Sequence, residues 1–151
     1  MKRTLLIFFM IILISGSCEK DDLLDVEYFA FGTAYGECIG NCAKFYMIKD
    51  NSIFPDDIDY YSGALSFSSQ KLAEAKYLLA KKLVDDFPQY LVSNPNSTYG
   101  CPDCADQGGI HIEIKENNDI KLWHIDTVVA NQPEDIRAYI SELLGVLAEM
   151  E

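Results

Sequence analysis

Residues 109 to 129 read GIHIEIKENNDIKLWHIDTVV, and this stretch constrains the fold more than any other. Apolar and polar residues alternate on both sides of Asn117-Asn118, which is the period of a half-buried strand. Asparagine tolerates the positive φ that a two-residue type I′ turn requires at both central positions. A hairpin closed there sets His111 opposite His124, Ile112 opposite Trp123 and Ile110 opposite Ile125. Ile110, Ile112, Trp123 and Ile125 then share one apolar face. The histidines pair on the other face, with Glu113 and Lys115.

The rest of the chain must supply partners for that hairpin. VEYFAF (26–31) and KFYMIK (44–49) read as strands, with Asp50-Asn51 as a turn into 52–54 and GALSF (63–67) as a further short strand. The spacing predicts a helix capped by Ser69, with a stripe of Leu72, Ala75, Leu79 and Leu83 widened by Leu78 and Val84, and ending before Pro88. A polar loop follows around Asn94. Asn131 with Glu134 resembles a capping box, and Ile136, Ile140, Leu143, Leu144, Leu147 and Met150 form the apolar face of a closing helix from about Gln132. Strands, helix, strands, helix is the order of an α+β two-layer sandwich: an antiparallel sheet with two helices packed on one face.

Four cysteines stand in two close pairs, Cys38/Cys42 and Cys101/Cys104. In an oxidising compartment an even set is most simply disulfide-bonded, and three connectivities are open. A bridge between the pairs would close about sixty residues. The chain-entropy model values that at roughly 4 kcal/mol, against roughly 2 for a Cys-x-x-Cys ring, so stability favours cross-pairing. Each pair lies in a loop bearing Tyr-Gly, so the two loops are expected side by side at one end of the sheet. Two alternatives use the same residues. Zinc or copper could be held by the four cysteines, or by Cys101 and Cys104 with His111 and His124. Cys101-Pro102-Asp103-Cys104 could act as a thiol-disulfide oxidoreductase. However, Asp103 and Asp106 would raise a thiol pKa, and no helix follows to lower it. The acidic run PDDIDYY (55–61) lacks the spacing of a calcium loop and reads as solvated. No residue set points to catalysis, and no cofactor is called for.

The N-terminus gives an address. Lys2 and Arg3 precede an apolar run, Leu5 to Ile14, too short to be a stable membrane span, and Ser15-Gly16-Ser17 lead into Cys18. Small residues running into a cysteine resemble a bacterial lipobox. The resemblance implies a signal peptide over 1–17, a lipid on Cys18, an acidic tether over 18–24 and a single domain over 25–151. Lys20-Asp21-Asp22 resembles the surface-export tag of some Gram-negative lipoproteins, which implies an outer-membrane anchor facing the cell surface. Removing 17 residues and the two positive charges of Lys2 and Arg3 from a 151-residue chain of formal charge −12 leaves 134 residues at −14. Such a charge, with no basic stripe, argues against nucleic acid and anionic lipid headgroups as partners, and the lipid bilayer is expected as a partner only through the N-terminal lipid.

The segment Cys38-Ile39-Gly40-Asn41-Cys42 after the first strand, with Tyr46 on the second, resembles a group of uncharacterised bacterial lipoprotein domains. Their pattern is Cys-x-Gly-x-Cys-Pro, and here Ala43 takes the proline's place. The resemblance implies an α+β fold and an extracytoplasmic location but no reaction. The expectation is a non-enzymatic envelope lipoprotein that binds a partner or serves structurally.

Overall fold

A computed structural model describes residues 26–150. The signal segment, Cys18 and the acidic tether lie outside the described residues. The expected hairpin is present. β5 (Gly109–Glu116) and β6 (Asp119–Asp126) pair antiparallel with His111 opposite His124 and Ile112 opposite Trp123. Asn117 and Asn118 carry φ of 50° and 67°, as the turn requires, and Asp50 and Asn51 do the same at 48° and 54°. β1 (Tyr28–Ala34), β2 (Ala43–Lys49) and β3 (Ser52–Pro55) form an antiparallel meander, and β1 joins it to β5.

The sheet has six strands in the order β3-β2-β1-β5-β6-β4. β4 (Ser97–Tyr99) lies in the segment read as a polar loop, and it runs parallel to β6. The sheet is therefore mixed rather than wholly antiparallel. Asn96, at φ 58°, turns the chain into β4, and its side-chain oxygen accepts the Leu122 N–H at 3.0 Å. The segment 63–67 forms only one bridge, Asp56 to Phe67, and no strand.

α1 (Glu74–Asp85), α3 (Glu134–Met150) and the short α2 (Gln89–Val92), through Leu91, supply the helical residues of the main core. α1 begins five residues after Ser69, which does not cap it. The Leu72 N–H is taken by the Ile53 carbonyl at 2.9 Å, so the chain is still tied to the sheet edge there. The buried face is also rotated from the expected stripe. Ala80, Leu83 and Val84 are buried, while Ala75 and Leu78 are exposed. Asn131 ends a 3-10 turn (Val129–Asn131) and spends its side chain on Asp126, so α3 starts after Pro133 without a capping box.

Phe87, just past α1, meets three elements edge-on. Its ring centroid lies 5.9 Å from Phe29, 5.3 Å from Trp123 and 5.6 Å from Tyr139. Trp123 is buried, and its indole N–H donates to the carbonyls of Leu91 (3.2 Å) and Asn94 (2.9 Å), which holds α2 against the sheet. Trp123→Ala is expected to cost about 3–5 kcal/mol in urea unfolding. Leu78→Ala, on the exposed side of α1, should stay within about 0.5 kcal/mol. Equal losses at both sites would show the helical layer to be placed the other way round.

Candidate functional site

The face of the sheet away from the helices carries a row of large rings. Phe45, Gly32, His111 and His124 lie on four adjacent strands in register. Gly32 makes the row possible. A Cβ there would sit 2.5 Å from the Phe45 ring and 2.1 Å from the Lys44 carbonyl oxygen. With no side chain between them, Phe45 and His111 meet edge to face at 5.4 Å.

The acidic run after β3 covers this row instead of standing in solvent. Asp56 leaves the sheet edge with its carboxylate accepting the N–H groups of Phe45 (2.6 Å) and Ile58 (3.2 Å). The Cys42 N–H bonds the Asp59 carbonyl at 2.7 Å. Tyr61 then lies over both Phe45 (5.5 Å) and His111 (4.8 Å). His111 is consequently only 2% exposed, unlike the solvent-facing pair that the alternation alone suggests.

The two histidines are hydrogen-bonded to one another, His111 Nδ1 to His124 Nε2 at 2.9 Å. His111 Nε2 faces Glu113 Oε2 at 3.6 Å, an ion-pair distance too long for a hydrogen bond, and it has no hydrogen-bond partner. The Tyr28 hydroxyl donates to the other oxygen of Glu113. A carboxylate favours the tautomer with a proton on His111 Nε2. His111 Nδ1 then accepts from His124 Nε2–H, and His124 Nδ1 is left as an acceptor. Burial alone would push Glu113 up, but the His111 imidazole and the Tyr28 hydroxyl outweigh it and hold the carboxyl below its usual 4.5. Burial, and then Glu113, push the Tyr28 and Tyr61 phenols up. Burial, and then the neighbouring His111, push His124 below its usual 6.5.

Beyond the C-terminal end of β1 and the start of β5 the two cysteine loops stand side by side, as expected, but each disulfide closes its own loop. Cys38 pairs with Cys42 and Cys101 with Cys104, at Cα separations of 5.7 and 5.5 Å. The bridges therefore do not tie the N-terminal hairpin to the second half of the domain. Positive φ at Gly40 (102°) and Asp103 (58°) gives the tight turns that let near neighbours pair. Asp103 joins the loops instead. Its carboxylate accepts the Gly36 N–H at 2.5 Å and the Gly108 N–H at 2.9 Å, and the Tyr35 ring packs on Gly108. Behind it, buried Asp126 accepts the N–H groups of Cys101 (3.3 Å) and Val128 (2.9 Å) and the Asn131 amide (3.1 Å).

Between these loops and the acidic run lies a cleft of about 210 Å³. Tyr35, Tyr60, Tyr61, Asp103, His111 and His124 are among its lining residues. Sequence reasoning paired the histidines but missed the three tyrosines, Asp103 and the coupling to Glu113. All three tyrosines lie in loops rather than strands, and that was the available signal. The proposed metal set of Cys101, Cys104, His111 and His124 is not assembled. The sulfurs are bonded to each other, and among the described residues no group of three or more His, Cys, Asp or Glu could hold an ion. Cys101 and Cys104 are exposed in a turn, with no helix N-terminus to activate either thiol. No family model matches the sequence, and no curated protein does.

Two outcomes follow from this geometry. Asp103→Ala should cost about 1–3 kcal/mol, because it frees two N–H groups and leaves a non-glycine residue at positive φ. Asp103→Asn should cost less, and equal costs would deny the carboxylate its role. His124 has a folded pKa below its unfolded 6.5, so the unfolded chain takes up a proton first. Stability should thus fall as pH drops below about 6.5 toward the depressed folded value, before Glu113 and Asp126 contribute their own losses below 4.5. His124→Asn should flatten the first of these declines in urea midpoints measured from pH 8 to 5.

Proposed function

We propose that this chain is an envelope lipoprotein anchored to the outer membrane through Cys18, and that its domain binds a small ligand in the cleft between the disulfide loops. The observation that carries the reading is the way the cleft is held. Two disulfides, the Asp103 carboxylate, the Asp126 network and the bonds of Asp56 and Asp59 to the sheet edge fix three loops around it, so little ordering entropy remains to oppose binding. Its walls are aromatic with a few convergent polar groups, the make-up of ligand sites rather than of packing faults. The resemblance of Ser15-Gly16-Ser17-Cys18 to a lipobox supports the address, and Lys20-Asp21-Asp22 supports the cell-surface face of the outer membrane.

Two measurements test the two halves of this reading. Cys18→Ala should move the protein from the membrane fraction to the soluble one with an unchanged unfolding curve, since a lipid anchor acts apart from the core. A variant still sedimenting with membranes would remove the lipid anchor. Backbone amide NMR against a small-molecule set of mixed charge should give saturable shifts at Gly36, Gly109 and His124. Shifts confined to other surfaces would take the ligand site away from the cleft.

A further inference from the structure

The loops that frame the cleft have one sign of charge. Residues 35–42, 56–66 and 100–108 contain Glu37, Asp56, Asp57, Asp59, Asp103 and Asp106, and no lysine or arginine. No residue lining the cleft is a lysine or arginine either. Walls of one sign around a low-dielectric recess focus the field and concentrate the opposite ion. An anionic ligand would find no partner there. Asp103 uses one acceptor site on each carboxylate oxygen for Gly36 and Gly108, which leaves lone pairs and its negative charge for the cleft.

Two further features point to the kind of cation. Tyr35 and Tyr60 are 39% and 59% exposed on the cleft wall, and Tyr61 lies behind them against His111. Tyrosine faces attract a diffuse organic cation through the ring quadrupole. An inorganic ion needs three or more hard or nitrogen ligands, and no such group is present among the described residues. The floor adds the histidine pair: His111, 2% exposed, turns its Nε2 toward Glu113 at 3.6 Å, and its bond to His124 leaves His124 Nδ1 as an acceptor.

We infer that the cleft takes a small organic ammonium ion, held between the tyrosine faces with Asp103 as its counter-charge. The inference rests on the binding reading above and specifies its ligand class. A volume of about 210 Å³ admits a head of trimethylammonium size with a short chain, not a polymer. The ligand is recognised by charge and ring contact.

Three isosteres separate charge from shape: choline, the neutral 3,3-dimethylbutan-1-ol and the anionic 3,3-dimethylbutyrate. They would be titrated by amide NMR into the full chain in maltoside micelles. Choline should shift cleft amides with a Kd at least fivefold lower than that of the alcohol, and the carboxylate should cause no saturable shift there. Tyr60→Leu should weaken choline severalfold and leave the alcohol unchanged, a split that a merely structural role for the ring would not produce. Rising salt should weaken choline alone. Equal affinity of choline and the alcohol at the cleft would overturn the cation assignment while leaving the cleft as a binding site. Cleft shifts from the carboxylate alone, or from none of the three, would overturn it as well. Failure of the mixed-charge set at the cleft would separately end the binding reading.

Discussion

The fold turns on the edge-to-face packing of Phe87. It follows α1 directly and meets β1 through Phe29, β6 through Trp123 and α3 through Tyr139. Pro88 stops any continuation of α1, so the ring is delivered at a fixed point rather than along a sliding helix face. Tyr139 adds a hydroxyl bond to the Leu83 carbonyl at 3.0 Å, which locks α3 onto the same turn. Each aromatic contact adds about 0.5–1.5 kcal/mol beyond the area it buries. More importantly, together they determine which way the sheet faces, and so which side is left for the histidines.

That second side departs from the usual two-layer pattern. A sheet with helices on one face normally turns polar residues to water on the other. Here Phe45 and His111 are both buried on the outer face, under a loop rather than a second layer. A loop can cover a sheet only if its own backbone groups find partners. Asp56 and the Cys42–Asp59 bond provide some of them, and the absence of a side chain at Gly32 provides the depth. The cleft exists because this cover is incomplete, ending at Tyr60 and Tyr61.

The parts of this structure that were legible in the sequence are those governed by local periodicity. Alternation about Asn117-Asn118 gave the strand register to the residue, because a slip of one position would bury Lys115 and expose Ile112. The start of α1 was not legible. Ser69 to Ala73 has good helical chemistry, but the bond from Leu72 to Ile53 spends that segment on the sheet edge. β4 is three residues long, too short for any period to show, and its pairing depends on Asn96 and the distant Leu122. The disulfide pairing followed turn geometry at Gly40 and Asp103 rather than loop entropy. The cleft escaped sequence reading because its walls come from three loops, and the bond that unites two of them, Gly36 to Asp103, spans 67 residues.

The central position of β1 has a consequence for how the chain reaches this state. One edge of β1 is satisfied by β2, its neighbour in sequence, but the other edge pairs with β5, where Phe29 meets Ile114 and Phe31 meets Ile112. During synthesis the meander β1-β2-β3 can form early, with a row of unpaired amides and two phenylalanines bare along β1. That edge stays open until residues 109–116 arrive, some eighty positions later. Non-local pairing of this kind slows folding, because a long loop must close before its contacts repay the entropy. The first half of the chain is therefore an incomplete sheet with a sticky edge, which a holding factor must shield or a fast second half must cap. A chain released before β5 would be expected to join its open edge to that of another copy.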